Sequence, residues 1–199
     1  MIKHLEVTED IPKEIKHPST LCIICHPDPL FGGDMNNKVV KTISEAFNEI
    51  GIKSIRFNYS NVGSSKGHYT GKHSALEDTK IVIDEILHKN NKVNIILSGF
   101  SFGGAVAYKL LEIFEKDIKY LVIASPTFDY FPLKKYSETE VPWLVIQGNK
   151  DEIIDFKQTL DFKKNNKSRN LIIMKDADHF YHGKLIELKR VIKNFFCFL

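Results

Sequence analysis

Short apolar runs alternate with amphipathic stretches along most of this chain. Continuous apolar runs are typical of strands buried on both faces, whereas apolar residues three and four positions apart mark one face of a helix. The predicted strands are 20–25, 52–59, 93–97, 120–124, 143–147 and 171–174. The predicted helices are 35–50, 73–89, a stretch directly after residue 101, 156–162, and a last stretch from 184 to the C-terminus. This alternation predicts the α/β class, with a mostly parallel central sheet covered by helices on both faces.

Chain length and the spacing of the elements predict the domain organisation. A chain of 199 residues has the length of one compact domain, so we expect a single domain over residues 1–199. The segment Ile2–Val7 is compatible with an antiparallel edge strand. Residues 125–141, which separate the two late strands, are too few to form a substantial cap domain.

Composition and charge narrow the range of partners. The hydrophobic fraction of 43% and the charged fraction of 27% are those of a soluble globular protein. The net charge is only +3 and the basic residues are nearly all Lys rather than Arg, the side chain favoured for phosphate contacts, so we expect no nucleic-acid partner. No apolar run approaches the ~20 residues that span a bilayer, and the N-terminus lacks the apolar core of a signal peptide. We therefore expect no membrane association and a cytoplasmic location; the sequence leaves monomer or dimer open.

The sequence contains no motif for cysteine-based metal binding or for nucleotide binding. Cys22 and Cys25 form a C-x-x-C within the predicted strand 20–25, where three strand steps hold their Cα atoms roughly 10 Å apart, beyond the reach of a disulfide. No second pair exists to complete a zinc site, so both are interpreted as small core residues. The phosphate-binding patterns G-x-G-x-x-G and G-x-x-x-x-G-K-[ST] are absent, and we expect no cofactor.

The strongest chemical motif is Gly99-Phe100-Ser101-Phe102-Gly103, a G-x-S-x-G between a buried strand and an amphipathic helix. A serine on so tight a turn is held in an unfavourable backbone conformation, and small residues two positions before and after it avoid a collision. The turn aims the hydroxyl at the carboxyl edge of the sheet, where open α/β folds bind ligands. The alternative is a glycine-rich turn that merely packs a helix against a strand. The context favours Ser101 as a catalytic nucleophile.

A serine hydroxyl needs a neighbouring base, and that base needs an acid to orient it. Asp151 and His179 follow Ser101 in the chain order Ser, Asp, His, and each lies just past a predicted strand. We predict these three residues as the catalytic set. Asp151 has a second interpretation as the N-cap of the helix that follows it, and Asp129 is the fallback acid.

The loop that carries His179 also holds His182, Asp176 and Asp178. His182 is a competing candidate for the base, and the two aspartates allow a metal-site interpretation. A zinc or iron site needs several converging ligands, which one loop rarely supplies, so we expect no metal. We assign the acid and base role to His179 and a role in supporting the loop to His182.

An oxyanion formed on Ser101 requires N–H donors around it. One is the N–H of Phe102, at the N-terminus of the helix. The second is expected in the loop after strand 20–25, whose two prolines have no N–H to give. This leaves the N–H of Asp28. His26, at the start of that loop, has an alternative interpretation as a structural hydrogen-bonding residue.

Several segments together resemble one bacterial family of alpha/beta-hydrolases. They are HPDPLFGGDMNNKVV, RFNYSNVGSSKGHY, GFSFGG, WLVIQGNKDEII and DADHFYHG. The family carries an H-P-H-P-L-x-G-G loop and is related to the dienelactone hydrolases, and the resemblance extends over nearly the whole chain from about residue 20. Two positions depart from the family pattern. Asp28 replaces the second His of H-P-H-P, and Ser60-Asn61 replaces the usual Arg-Gly.

The resemblance implies a lidless or nearly lidless α/β-hydrolase whose triad is Ser101, Asp151 and His179, with Asp28 in its oxyanion loop. We therefore predict a serine hydrolase that transfers an acyl group from a small ester or thioester to water. A carboxylate beside a developing oxyanion is unfavourable, which favours the alternative of a binding scaffold with weak or no catalysis. Candidates for lining an open, small pocket are Phe31, Phe102, Phe128, Tyr130, Phe131 and the loop His68–Tyr69.

Overall fold

The sheet of this protein is mostly parallel. In the computed structural model, which describes residues 4–131, 139–163 and 169–196, seven strands lie in the order β1-β3-β2-β4-β5-β6-β7. They are β1 (Val7–Asp10), β2 (Thr20–Cys25), β3 (Lys53–Phe57), β4 (Asn94–Phe100), β5 (Ile118–Ala124), β6 (Trp143–Gly148) and β7 (Arg169–Met174). β1 pairs antiparallel with β3, and the other pairs of neighbouring strands are parallel. The predicted α/β class and parallel sheet are confirmed.

Helices cover both faces of the sheet. They are α1 (Lys38–Glu49), α2 (Lys72–Lys89), α3 (Phe102–Phe114), α4 (Phe156–Lys163) and α5 (Leu185–Phe195). The buried apolar side chains of α1 and α5 share one core cluster with one face of the sheet, and those of α2 and α3 share the other. None of the described helices is long and apolar enough to cross a membrane.

Several predicted element boundaries differ from the structure, and two of these differences involve polar side chains. Helix α1 begins at Lys38 rather than at residue 35, because the Asn37 side chain caps it by accepting the Val39 N–H at 2.9 Å. The edge strand begins at Val7, where the segment predicted for it ends. Asp10 of this strand accepts a hydrogen bond of 2.9 Å from Arg56 of β3, which ties β1 to the sheet beyond the predicted segment.

Cys22 and Cys25 lie on opposite faces of β2, in different core clusters, and both are fully buried free thiols. Burial raises the pKa of Cys25 to about 12 and also raises the pKa of Cys22. Both thiols are therefore held protonated and inert, as expected of core residues.

The connectivity of the sheet creates a crevice between β2 and β4. From β2 the chain moves outward to β3, whereas from β4 it moves in the opposite direction through β5 and β6 to β7. β2 and β4 are nonetheless neighbours, with Cys25 paired to Gly99 at their carboxyl ends. Ligands of open α/β sheets bind at such a reversal of strand order, outside the carboxyl ends of the strands.

Candidate active site

Ser101 occupies a strained turn at this crevice. It follows β4 and directly precedes α3, with φ of +55° and ψ of −119°, in the left-handed half of backbone space that is unfavourable for residues other than glycine. The turn is close to its neighbours, since a Cβ on Gly103 would collide with the backbone carbonyls of Cys25 and His26. Small residues are therefore required around Ser101, as the G-x-S-x-G spacing predicts.

His179 connects Ser101 to Asp151. Its Nε2 lies 3.1 Å from the Ser101 Oγ, and its Nδ1 lies 2.9 Å from the Asp151 Oδ2. The side chain of His179 is 6% exposed and that of Asp151 is fully buried. An ionised carboxylate can only accept, so Nδ1 carries a proton, and Nε2 is the ring nitrogen placed to accept from the serine hydroxyl. The structure thus brings the three predicted residues into one hydrogen-bonded chain.

Asp151 lies in a dense shell of donors. Gln147 Nε2 donates to Oδ2 at 2.7 Å, and the N–H groups of Ile153 and Ile154 donate to Oδ1 at 3.0 and 2.8 Å. Burial opposes ionisation, but the bonds from His179 and from the Ile154 N–H outweigh it and lower the pKa of Asp151. The carboxylate caps the turn after residue 151, whereas helix α4 begins only at Phe156.

The loops that carry Asp151 and His179 are bonded to each other. The Lys150 N–H donates to the Ala177 carbonyl at 3.0 Å, and the Asp176 N–H donates to Asn149 Oδ1 at 2.7 Å. Gly148 permits this contact, because a Cβ there would collide with the Ala177 carbonyl oxygen. The acid and the base are thereby fixed relative to one another by backbone contacts.

The competing candidates His182, Asp176 and Asp178 have other partners. His182 Nδ1 pairs with Asp178 at 2.7 Å, with a His182 side chain that is 75% exposed, and Asp176 pairs with Lys150 at 2.8 Å. Asp129 lies in the short turn Phe128–Tyr130, and its side chain is outside the described residues. Within the described ranges, no group of three His, Cys, Asp or Glu side chains is arranged to hold a metal.

Of the two predicted oxyanion donors, the Phe102 N–H directly follows Ser101 and the Asp28 N–H lies in the loop after β2. Phe102 is the first residue of α3, a position whose N–H has no intrahelical acceptor. The Asp28 N–H makes no hydrogen bond to the residues that the structure describes. Its loop is compact, because the N–H groups of Phe31 and Gly33 both donate to the Asp28 carbonyl, at 3.1 and 3.0 Å.

His26 fixes the start of this loop. The ring is fully buried, with Nδ1 2.7 Å from the Pro27 carbonyl oxygen and Nε2 3.1 Å from the Tyr59 N–H. Because a carbonyl can only accept and an N–H can only donate, Nδ1 carries the proton and Nε2 is bare. Burial lowers the pKa of His26 to about 4. The residue therefore acts as a neutral structural link from the loop to the residues that follow β3.

The Asp28 carboxylate points to hydroxyl and amide donors. It accepts the Leu30 N–H at 3.0 Å, the Tyr69 hydroxyl at 3.1 Å and the Tyr130 hydroxyl at 3.3 Å. Sequence reasoning proposed Tyr69 and Tyr130 only as pocket-lining residues and missed these bonds, which join positions far apart in the chain. The other departure, Asn61, has φ of +62°, a conformation that Asn tolerates better than most residues.

The side chains near the site divide into buried and exposed aromatics. Phe102, Phe128 and Phe131 are buried in the core. By contrast, Phe31 is 86% exposed, and Leu30 beside it is 74% exposed. The loop that carries Asp28 thus presents apolar surface to solvent.

Two further polar contacts support the acid and were not predicted. Gln147 is the only polar side chain in the buried strand β6 and precedes Asp151 by four residues, a signal that could have identified it. Ser125 Oγ lies 3.0 Å from the Tyr181 hydroxyl, which donates to the Ile146 carbonyl at 2.9 Å. A hydrogen bond from Ser125 also contributes to the lowered pKa of Asp151.

Comparison with known proteins places this arrangement in a family. Residues 23–187 match the family model described as alpha/beta hydrolase domain, and the chain belongs to that family. A solved alpha-beta serine hydrolase homologue from Coxiella burnetii is 37% identical, with a TM-score of 0.89 over 96% of this chain and 91% of that one. An a/b serine hydrolase without a lid from Xanthomonas campestris is 31% identical, with a TM-score of 0.84 over 96% and 87%. An uncharacterized protein of Rickettsia prowazekii is 28% identical over 184 residues, 88% of this chain and 77% of its own length. Family and fold together support a hydrolase.

Proposed function

We propose that this protein is a serine hydrolase that transfers the acyl group of a small ester or thioester to water, with Ser101, His179 and Asp151 as its catalytic triad. The observation that carries the proposal is the hydrogen-bonded chain from the Ser101 hydroxyl through the His179 ring to the Asp151 carboxylate. The strained position of Ser101 supports it, since such strain is concentrated at functional sites.

In the first step Ser101 is acylated. Its Oγ attacks the substrate carbonyl carbon while His179 Nε2 takes the hydroxyl proton. The N–H groups of Phe102 and Asp28 bind the resulting oxyanion, and Asp151 stabilises the imidazolium. The tetrahedral intermediate then expels the alcohol or thiol, which receives its proton from Nε2, and an acyl-serine remains.

In the second step water releases the acyl group. His179 Nε2 removes a proton from water as its oxygen attacks the acyl carbon, and the same donors bind the second oxyanion. The carbon–Oγ bond breaks, Nε2 returns the proton to Ser101, and a carboxylic acid leaves. The net reaction consumes one water and needs no cofactor.

The surroundings of the site favour a small, partly apolar substrate in a site without a lid. Leu30 and Phe31 are exposed on the loop that carries Asp28, and apolar groups of a substrate gain free energy by covering such surface. On the sequence of residues 26–33 we place the chain in the branch of the family with the H-P-H-P-L-x-G-G loop, and we propose that it forms a single cytoplasmic domain.

The alternative of a binding scaffold rests on the carboxylate of Asp28. In the structure this carboxylate accepts hydrogen bonds from Tyr69 and Tyr130, which direct it toward the hydroxyls that anchor the loop. These bonds fix the position of the carboxylate, and we expect the triad to remain catalytic in its presence.

A fluorophosphonate probe and p-nitrophenyl acetate distinguish the two functions. We expect the wild-type protein to be labelled and to hydrolyse the ester, and Ser101→Ala to do neither while melting at a similar temperature. Ser44→Ala is the matched control, because its buried hydroxyl bonds to Asp10 and Ser54, outside the site; it should retain labelling. A folded wild-type protein that shows neither reaction, or labelling that survives Ser101→Ala, contradicts the proposal.

A further inference from the structure

We propose that Asp28 makes the site selective by charge, so that neutral and cationic esters are hydrolysed in preference to esters with an anionic group near the scissile bond. The inference rests on the proposed function and adds to it a substrate class and the residue that determines it.

The hydrogen-bond partners of the Asp28 carboxylate are all neutral groups. Its three donors are one backbone N–H and the hydroxyls of Tyr69 and Tyr130. Among the ion pairs of the described residues, none includes Asp28. Burial, and then the negative charge of Asp28, raise the pKa values of both tyrosines, so they remain donors. Neutral donors stabilise a carboxylate without cancelling its field.

Two features connect this charge to the proposed site. Asp28 also supplies the N–H proposed to bind the oxyanion, so its side chain and that donor belong to one residue. The Tyr130 hydroxyl bonds to Asp28, and the Tyr130 ring packs edge-on against the Phe102 ring, with centroids 5.2 Å apart. Phe102 directly follows Ser101. Asp28 is 8% exposed. A charge with so little contact with water is screened less than a surface charge and acts over several ångströms.

Lys72, a cation of the described residues that contacts Tyr130, is too exposed to offset that field. Lys72 Nζ donates to the Tyr130 carbonyl at 3.2 Å and lies 5.6 Å above the Phe131 ring, but the side chain is exposed. Water and salt therefore screen its charge. Lys72 provides a control for a change of net charge that leaves the buried carboxylate intact.

The test compares 4-acetoxy-3-nitrobenzoic acid, which is anionic, with its neutral methyl ester. For each protein we measure kcat/KM on both and take the ratio of anionic to neutral. Asp28→Asn keeps an acceptor for the Leu30 N–H and removes the charge. The ratio should therefore rise about tenfold, as expected when the Asp28 and substrate carboxylates lie roughly 10 Å apart at an effective dielectric constant of about 20. Lys72→Gln should leave the ratio within about twofold of wild type.

A second variant protects the test against misfolding. Asp28→Ser also keeps an N-cap acceptor and should raise the ratio in the same way. The result is taken from whichever variant has a melting temperature closer to that of wild type. If both esters are hydrolysed in a Ser101-dependent reaction and the ratio stays within about twofold in a folded Asp28 variant, the charge-selection inference is overturned and the hydrolase function stands. If neither ester is hydrolysed by wild type, the proposed function is overturned, and this inference with it.

Discussion

Gln147 donates a hydrogen bond of 2.7 Å to the same Asp151 oxygen that lies 2.9 Å from the His179 ring. A buried amide at the end of β6 therefore helps to hold the carboxylate that orients the base. Such a residue does not contact the substrate, yet the position of the imidazole depends on it.

Replacing Gln147 should reduce catalysis more than stability. In Gln147→Leu the carboxylate loses a charge-assisted hydrogen bond, and we expect kcat/KM to fall about tenfold, mainly through kcat. Esterase kinetics with p-nitrophenyl acetate measure the change. Thr159→Val is the control. The Thr159 hydroxyl donates to Gln147 Oε1 at 3.4 Å, not to Asp151, so this variant should lose less activity. Wild-type kcat in a folded Gln147→Leu protein contradicts the role of this amide.

Asp151 and Asp178 provide a contrast between two Asp–His pairs. Asp151→Asn leaves the geometry nearly intact but favours the wrong His179 tautomer, and kcat should fall roughly a thousandfold or more. Asp178 pairs with the exposed His182, so Asp178→Asn should retain kcat within about twofold. Stopped-assay hydrolysis rates and rates of fluorophosphonate labelling measure both variants. Equal losses in the two variants would show that the acid has been assigned to the wrong loop.

His26 should make stability depend on pH. Its pKa is about 4 in the folded protein, below the ordinary 6.5, because burial disfavours the charged ring. Between these values the unfolded chain binds more protons, so stability is fully present above pH about 6.5 and falls by about 3 kcal/mol as pH decreases to about 4. Urea unfolding of wild type and His26→Gln from pH 7 to 4.5 tests this, and the variant should show a flatter dependence. The exposed His182→Gln is the control, and a slope unchanged in His26→Gln refutes the prediction.

Two adjacent glycines of α3 should respond differently to alanine. A Cβ on Gly103 would collide with the carbonyls of Cys25 and His26, whereas a Cβ on Gly104 would lie 3.2 Å from a Pro126 side-chain carbon. Gly103→Ala should lower the free energy of unfolding by about 2 kcal/mol or more and abolish labelling of Ser101. Gly104→Ala should change it by less than about 1 kcal/mol, because alanine also favours the helix. Urea unfolding and probe labelling measure both, and equal destabilisation would refute the distinction.

Local sequence was sufficient to predict the parts of the site that depend on local geometry. The turn at Ser101 is specified by its flanking glycines, Asp151 follows the buried strand β6 and His179 follows β7, so the parallel sheet brings all three to one edge. The contacts of Asp28 with Tyr69 and Tyr130 connect loops 41 and 102 positions apart. The hydrophobic periodicity of the sequence does not predict such side-chain contacts, because they depend on how three separate loops fold over the sheet.

Edge geometry was likewise only partly predictable. Residues 2–7 were compatible with an edge strand, but β1 lies at Val7–Asp10, where Asp10 forms a salt bridge with Arg56 of β3. Propensity is weak for so short a segment, and the partner decides its register.

The short antiparallel strand β1 also limits self-association. An unpaired strand edge is a template on which another chain can add, and nature often protects edges with short, charged strands. Here the outer edge belongs to four residues, two of which are Glu9 and Asp10, instead of to the more buried β3. Edge-to-edge pairing of sheets from separate molecules along that side is thereby disfavoured, and with it the growth of fibrous aggregates.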